Sequence, residues 1–331
     1  MSADVKRGSR EDSSQPRVVI IVLNWNGKEN TYECLDSLIH LNYGNYEIIV
    51  VDNASTDGSQ EFLKRNFPEI TLIENSKNLG FGGGLNIGIC EAVKRGADYV
   101  LCLNNDVVVD ENILCELVQF GELSAKTGGL CPMEYDYNQP DRIICAGGTI
   151  RFVRGKLFGY RELDKGQFNK AMMTGLLSGP AMMFRLDALL DVGLFNTSYF
   201  YGPEDQDVAL RLIRKGYNLI FVPRAKLWHK RRGATNGKIT PLNEYFHVRN
   251  YLLFAKKNAN GTELFFSILY FGLFDFPLTF LRGLISGKWQ HINAIMNGLI
   301  WHLDSKLVPS DPQMVELLSE TSETMRGKKK K

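Results

Sequence analysis

The sequence has no Cys-x-x-Cys pair. Its six cysteines stand apart at positions 34, 90, 102, 115, 131 and 145. Paired-cysteine metal and redox motifs are therefore excluded, and the apolar surroundings of most of these residues read as reduced, buried thiols in a reducing compartment. There is no excess of charge of one sign. Lys and Arg number 39 against 37 Asp and Glu, for a net charge of +2, and the basic footprint of a nucleic-acid partner is missing. The stretch Met1–Pro16 lacks an apolar segment and mixes charges, so it reads as a disordered leader and not as a signal peptide. No Gly-x-Gly-x-x-Gly follows the first apolar run. Asn24-Trp25-Asn26-Gly27 stands there instead, which argues against a dinucleotide-binding dehydrogenase.

What is present is a chain of 331 residues, 44% hydrophobic, enough for a large core or for one domain with an appendage. Val18–Leu23 is a continuous β-branched run and predicts a buried strand. Asn30–Leu41 has helical periodicity, Tyr46–Val51 predicts a second strand, and Asp57 with Gln60 predicts a capping box on a helix stopped by Pro68. Ile70–Glu74 predicts a third strand, Leu85–Arg95 a helix, and Val100 onward a fourth strand. This alternation over some 120 residues predicts an α/β fold with a mostly parallel sheet covered by helices on both faces.

The chain is organised around Val100–Asp110. A short apolar strand breaks abruptly into Asn104, Asn105 and Asp106. Small oxygen-bearing side chains beyond the carboxyl end of a strand suit a hard divalent cation, and open α/β sheets bind ligands there. An Asn-rich turn is the plainer reading of the same residues. The run Asn78–Gly84, followed by Asn86, reads either as a flexible turn or as backbone that approaches a phosphate or ribose closely. Tyr199–Asp207 places Glu204, Asp205 and Asp207 at the start of a helix opened by Pro203. Acids there complement the helix dipole, which is expected to keep Asp205 ionised; three within four residues also make a general base credible. Asp207 has Arg211 one turn on as an expected partner. His229 follows an apolar strand and leads into Lys230, Arg231 and Arg232, which read as a diphosphate site or as a solvated face.

Four motifs in order then resemble the family 2 glycosyltransferases of GT-A fold, and most closely their rhamnosyltransferase-like branch. They are Val22–Gly27, Val50–Gly58, Asn78–Asn86 and Asn104–Asp106, with Glu204–Asp207 and His229 beyond. The likeness covers about Arg17–His229 and fades by Lys257. It implies an inverting, metal-dependent enzyme that moves a sugar, rhamnose among the candidates, from a dTDP- or UDP-linked nucleotide diphosphate donor to a glycan or polyprenyl-linked acceptor. By the same resemblance Asp52 accepts from the pyrimidine N–H. Asn24, Asn53, Gly80, Gly82, Gly83, Asn86, Asn104 and Asn105 line the nucleotide. Asp106 and His229 hold Mg²⁺ or Mn²⁺, and Asp205, with Glu204 beside it, is the catalytic base. One departure is plain: Asn104 stands where the family's motif has its first acid. The competing expectations are a nucleotidyltransferase, which would carry a basic glycine-rich loop after its first strand, and a sugar-nucleotide-binding protein without a base.

The carboxyl-terminal stretch Leu264–Ile285 is long enough to span a bilayer, but Asp275, Pro277 and Arg282 interrupt it. The stronger expectation is helices lying in the membrane interface, aided by Ile292–Leu303 and a polybasic end, Arg326–Lys331. The expected organisation is a leader over 1–16, a catalytic domain over 17–257, an apolar helical segment over 258–310 and a polar, basic tail over 311–331. An enzyme at the inner, cytoplasmic face of the cell membrane, peripheral or anchored, fits this pattern.

Overall fold

The computed structural model describes residues 15–150, 152, 156–231, 240–285 and 287–303. The leader up to residue 14, Arg232 and the basic tail lie outside the described residues. Val18–Asn24 (β1) is followed by Lys28–Leu38 (α1), Tyr46–Asp52 (β2), Ser59–Asn66 (α2), Thr71–Glu74 (β3), Gly80–Lys94 (α3) and Tyr99–Asn104 (β4). These strands run parallel in the order β3, β2, β1, β4. Their unbroken apolar runs follow from burial on both faces. Alternate residues of β1 divide between two cores: Val19 and Ile21 meet Leu85, Ile89 and Val93 of α3, while Val18, Ile20 and Val22 meet Cys34, Leu35 and Leu38 of α1.

The second half of the sheet adds antiparallel strands to the expected mostly parallel plan, while its β6 and β12 pair parallel. Val107–Val109 (β5) and Ile113–Glu122 (α4) lead into Thr127–Asp136 (β6), Gln139–Cys145 (β7), the small pair Gly148–Thr149 (β8) and Lys156–Leu157 (β9), and Met172–Met173 (β10). Ala181–Arg185 (β11), Leu186–Val192 (α5), Glu204–Arg214 (α6) and Asn218–His229 (β12) complete the domain. β11 inserts antiparallel between β4 and β6, and β5 and β10 pair antiparallel with β12, so the sheet is mixed. Sequence alternation reports that a strand is buried, not which way it runs.

Two local expectations change. No side-chain cap forms at α2: Gly58, at φ 79°, is its cap residue, and Gln60 turns to Asp52 instead. α3 begins at Gly80, five residues before the expected start, so the glycine run lies inside a helix. Beyond the sheet, Thr240 and Asn243 close a capping box on Pro241–Asn258 (α7), and Asn260 and Glu263 close another on Gly261–Tyr270 (α8). A π-helical turn, Phe271–Asp275, joins α8 to Phe276–Ile285 (α9). Trp289–Ile300 (α10) returns along α7, with Gly298 so close that a Cβ would lie 2.8 Å from Tyr245 O.

Candidate active site

Strand register builds the crevice. Asn24 of β1 pairs with Asp52 of β2, and Leu23 with Asn104 of β4, so three polar residues end neighbouring strands along one edge of the sheet. Open sheets place ligands at such an edge. Asn24 is the hub of a buried network. Its Nδ2 donates to Asp52 Oδ2 at 2.7 Å and to Ser55 Oγ at 3.2 Å, while its Oδ1 accepts from Thr31 Oγ1 and Asn105 Nδ2, both at 2.9 Å. Asp52 Oδ1 accepts from Ser55 N and Gln60 Nε2. A carboxylate offers about four lone-pair directions; three are taken here, which holds Asp52 rigidly at the strand end. Gly27 lets the strands and loops close up, since a Cβ there would lie 2.2 Å from Asn105 Nδ2.

The glycine run does different work from a phosphate cradle. A Cβ at Gly82 would sit 3.0 Å from Phe195 Cβ, one at Gly83 2.9 Å from Leu79 Cβ, and one at Gly84 2.4 Å from Leu23 Cδ1. These glycines let α3 lie close against β1 and the loop after α5. Asn86 is buried, and both ends of its amide bond the backbone of Phe195. Asn53 donates to Gly80 O at 2.9 Å and accepts from Asn75. The expectation that Gly82, Gly83 and Asn86 face a ligand gives way to packing; Gly80 and Asn53 set the start of α3 beside the crevice.

Asp106 and His229 meet because β12 pairs antiparallel with β5, His229 opposite Val107. His229 Nε2 lies 3.3 Å from Asp106 Oδ1, and Nδ1 lies 2.7 Å from Glu134 Oε1. Ser178 Oγ donates to the other oxygen of Glu134. Burial disfavours a charged imidazole, but hydrogen bonds to the carboxylates of Asp106 and Glu134 outweigh it and raise the His229 pKa to about 9. Among the described residues no group of three or more His, Cys, Asp or Glu gathers to hold a metal. The pair Asp106 and His229 nevertheless fits Mg²⁺ or Mn²⁺ of the kind held by one or two protein groups plus phosphate and water. Glu134 fits the group that orients a ligating imidazole through its second nitrogen. It lies in a stretch of the sequence without a recognisable pattern, and only the parallel pairing of β6 with β12 brings it to His229. Lys230 is not a free cation for a diphosphate: its Nζ lies 2.6 Å from Glu33 Oε2 and over the ring of Tyr137.

At the start of α6, Glu204 and Asp205 point to different surroundings. Glu204 is 1% exposed, and its Oε1 accepts no hydrogen bond. Burial, more than the nearby Asp205 and Asp207, pushes its pKa up to about 8. Asp205 is partly exposed, and its Oδ1 accepts from Gln206 N at 2.8 Å. Its pKa rises to about 6 by loss of solvation, against the expectation that the helix end would hold it low. Asp207 joins the fold instead, bonding Arg211 at 2.8 Å, Tyr199 OH and Asn258. The acid pair and the Asp106 corner share one neighbour: burial first, then the charges of Glu204, Asp106 and Asp205, push the Tyr201 hydroxyl pKa up.

Solved structures share this architecture. The chain superposes on the mannosyltransferase PcManGT of Pyrobaculum calidifontis, solved with GDP-Man and Mn²⁺, at a TM-score of 0.53, with 17% identity, over 94% of this chain and 81% of that one. It superposes on Staphylococcus aureus TarS 1–349, solved with UDP-GlcNAc, at 0.57, with 16% identity, over 86% and 80%. These likenesses establish the GT-A type of fold. In sequence it is 24% identical over 236 residues to the N-acetylglucosaminyl-diphospho-decaprenol L-rhamnosyltransferase of Mycobacterium tuberculosis, across 64% of this chain and 75% of that protein. The profile of one family runs from β1 into α5, across β1, β2 and β4 and more than half of the chain. Through that match over residues 18–188, the chain belongs to glycosyl transferase family 2.

Proposed function

We propose that this transferase moves a sugar, with inversion, from a nucleotide diphosphate donor to a glycan or polyprenyl-linked acceptor. The observation that carries the reading is the polar crevice itself: Asn24, Asp52 and Asn104 end neighbouring strands along one sheet edge, and His229 Nε2 lies 3.3 Å from Asp106 Oδ1. Asp52, fixed by Asn24, Ser55 and Gln60, presents an acceptor to the base. Asn104 ends β4, and Asn105 just beyond it donates to Asn24 Oδ1. Asp106 and His229 would hold a divalent cation, which supplies Lewis-acid stabilisation of the departing diphosphate. Glu134 orients His229 for that task. Asp205, with its pKa near 6, is ionised at neutral pH yet basic enough to take the acceptor hydroxyl's proton. The Mn²⁺ of the Pyrobaculum enzyme and the decaprenol-linked acceptor in the mycobacterial name support the cation and the lipid-linked acceptor. Rhamnose as the sugar rests on the mycobacterial likeness alone; UDP as the carrier has the UDP-GlcNAc of the Staphylococcus structure behind it, and dTDP only the resemblance of the sequence motifs.

The membrane belongs to the same reading. Gly261–Ile285 forms 25 helical residues, long and apolar enough to cross a bilayer by length and composition; the mean hydropathy of its most apolar window is 1.8, and only 11% of that window is buried. Asp275 near its middle lies 3.1 Å from His247 of α7. That contact ties the helix to the protein surface, which favours an interfacial seat over a span. The deciding experiment is sugar release from a panel of UDP-, dTDP- and GDP-sugars with Mg²⁺ or Mn²⁺. Release that stops in Asp205→Asn supports the reading. Tight nucleotide binding without release would mark a binding protein, and release of diphosphate from a nucleoside triphosphate would mark a nucleotidyltransferase.

A further inference from the structure

The loop that delivers the acid pair is strained. Phe200 sits at φ 64°, ψ −49°, and Gly202 at φ 146°. A non-glycine residue there costs about 1–3 kcal/mol and persists only where its surroundings over-determine it. Two sides do so. Toward the donor, Phe200 O accepts from Phe81 N at 2.7 Å, and a Cβ at Gly80 would lie 2.3 Å from that oxygen. Toward the carboxyl-terminal helices, Asn250 of α7 straddles Phe200: its Nδ2 donates to Tyr199 O at 2.9 Å and Tyr201 O at 2.7 Å. Arg249 Nη2 donates to Ser198 O, and the Phe246 ring stacks on Phe200 at 5.3 Å. Arg249 is itself held by Trp301, whose ring lies 4.7 Å from the guanidinium, and by His302 Nε2, which bonds Arg249 O at 2.9 Å. At the far end of α7, Asn258 Nδ2 donates to Asp207 Oδ1 at 3.0 Å, gripping α6 as well.

We propose that α7 is a positioning clamp for the acid pair, with Asn250 as its central residue. Both hydrogen bonds of the Asn250 amide nitrogen go to backbone oxygens, so it acts through the loop: it sets where α6 begins, and thereby buries Glu204 while leaving Asp205 open to the acceptor. The carboxyl-terminal helices are then part of the active site's frame as well as an anchor. The donor side has its own ties, since Asn53 and Asn78 hold both backbone ends of Gly80. Loosening the loop therefore acts on proton removal and leaves nucleotide binding in place. This inference rests on the reading of Asp205 as the base.

The test compares the full chain with Asn250→Leu, Asn250→Gln and Asp205→Asn. The readouts are UDP and dTDP affinity with Mn²⁺, thermal midpoint, and kcat against KM for the sugar nucleotide that the parent hydrolyses fastest. Asn250→Leu keeps the volume and removes both donors. Its kcat is expected to fall about a hundredfold, the effect of displacing a catalytic group by about 1 Å, with nucleotide affinity unchanged. Asn250→Gln keeps the donors and should recover at least about tenfold of that loss. If the leucine variant does not fold, Asn250→Ser makes the same comparison. A kcat within about threefold of the parent, or equal losses in kcat and nucleotide affinity, overturns the clamp. Asp205→Asn separates the two failures. If it turns over like the parent, the base reading falls and the clamp with it; if it is inactive while Asn250→Leu is not, the clamp alone falls.

Discussion

Burial acts on the two neighbouring acids to different degrees. Asp205, at about 6, should give the turnover profile an acid limb near pH 6, below which the base is protonated. Asp205→Asn should lower kcat by roughly a hundredfold or more and leave nucleotide affinity unchanged, as read by calorimetry beside steady-state rates. Glu204 carries a testable stability sign. Its carboxyl is raised by burial from 4.5 to about 8 in the folded state, so the folded chain binds the extra proton. Stability from that proton is fully present below about pH 4.5 and is lost as pH rises through about 8. Glu204→Gln should flatten the fall of the thermal midpoint across that window; an identical slope in both proteins would remove burial as the cause. At the cation corner, Glu134→Gln should weaken Mn²⁺ binding by about 10–100-fold in the presence of UDP, measured by the free-Mn²⁺ resonance signal. Unchanged affinity would leave Glu134 without an orienting role.

Among the elements, α3 is the one whose composition most obscures its role. Four glycines in its first five residues favour neither helix nor rigidity, yet each removes a side chain that Phe200, Phe195, Leu79, or Leu23 of β1 with Asn53, would otherwise strike. Gly80 is the most demanding position, because it combines φ 75° with the close approach of Phe200 O. Gly80→Ala should lower the thermal midpoint by several degrees and weaken nucleotide binding, since a Cβ there would push the start of α3 itself away from Phe200 O. A midpoint within about one degree of the parent would show that the loop yields without cost. α7 has the opposite character: it is well capped and ordinary in sequence, and its importance lies entirely in what Asn250, Arg249 and Asn258 reach.

In the whole molecule, a polar crevice at one sheet edge is joined through α7 to an apolar helical surface. Phe265, Phe266, Leu273, Leu281 and Ile285 of that surface are exposed, as are Trp289 and Leu303. These exposed side chains are the face that the proposed seat at a lipid surface would use. Replacing Phe265, Leu273 and Leu281 with Ser should abolish flotation with phosphatidylglycerol vesicles and leave the thermal midpoint intact. Removal of the intact protein from membranes by salt alone would exclude a spanning helix, as the Asp275–His247 pair leads one to expect.

The parallel half of the sheet, both its cores, the Asp207–Arg211 pair and the motifs at the ends of β1, β2 and β4 were legible in the residues, because continuous apolar runs, i,i+4 spacing and strand-end polarity are local properties. So was the state of the cysteines, all six of which are free thiols, five of them buried. The antiparallel insertion of β11 was not legible, because strand direction depends on where a distant partner lies. Nor was the contact of Glu134 with His229, 95 residues apart and joined only by the pairing of β6 with β12. The elevation of the Asp205 and Glu204 carboxyls shows the same division. Their place at a helix start could be read along the chain and pointed to a lowered pKa for Asp205, but removal of water is decided by what packs around that helix, and here burial outweighs the helix dipole.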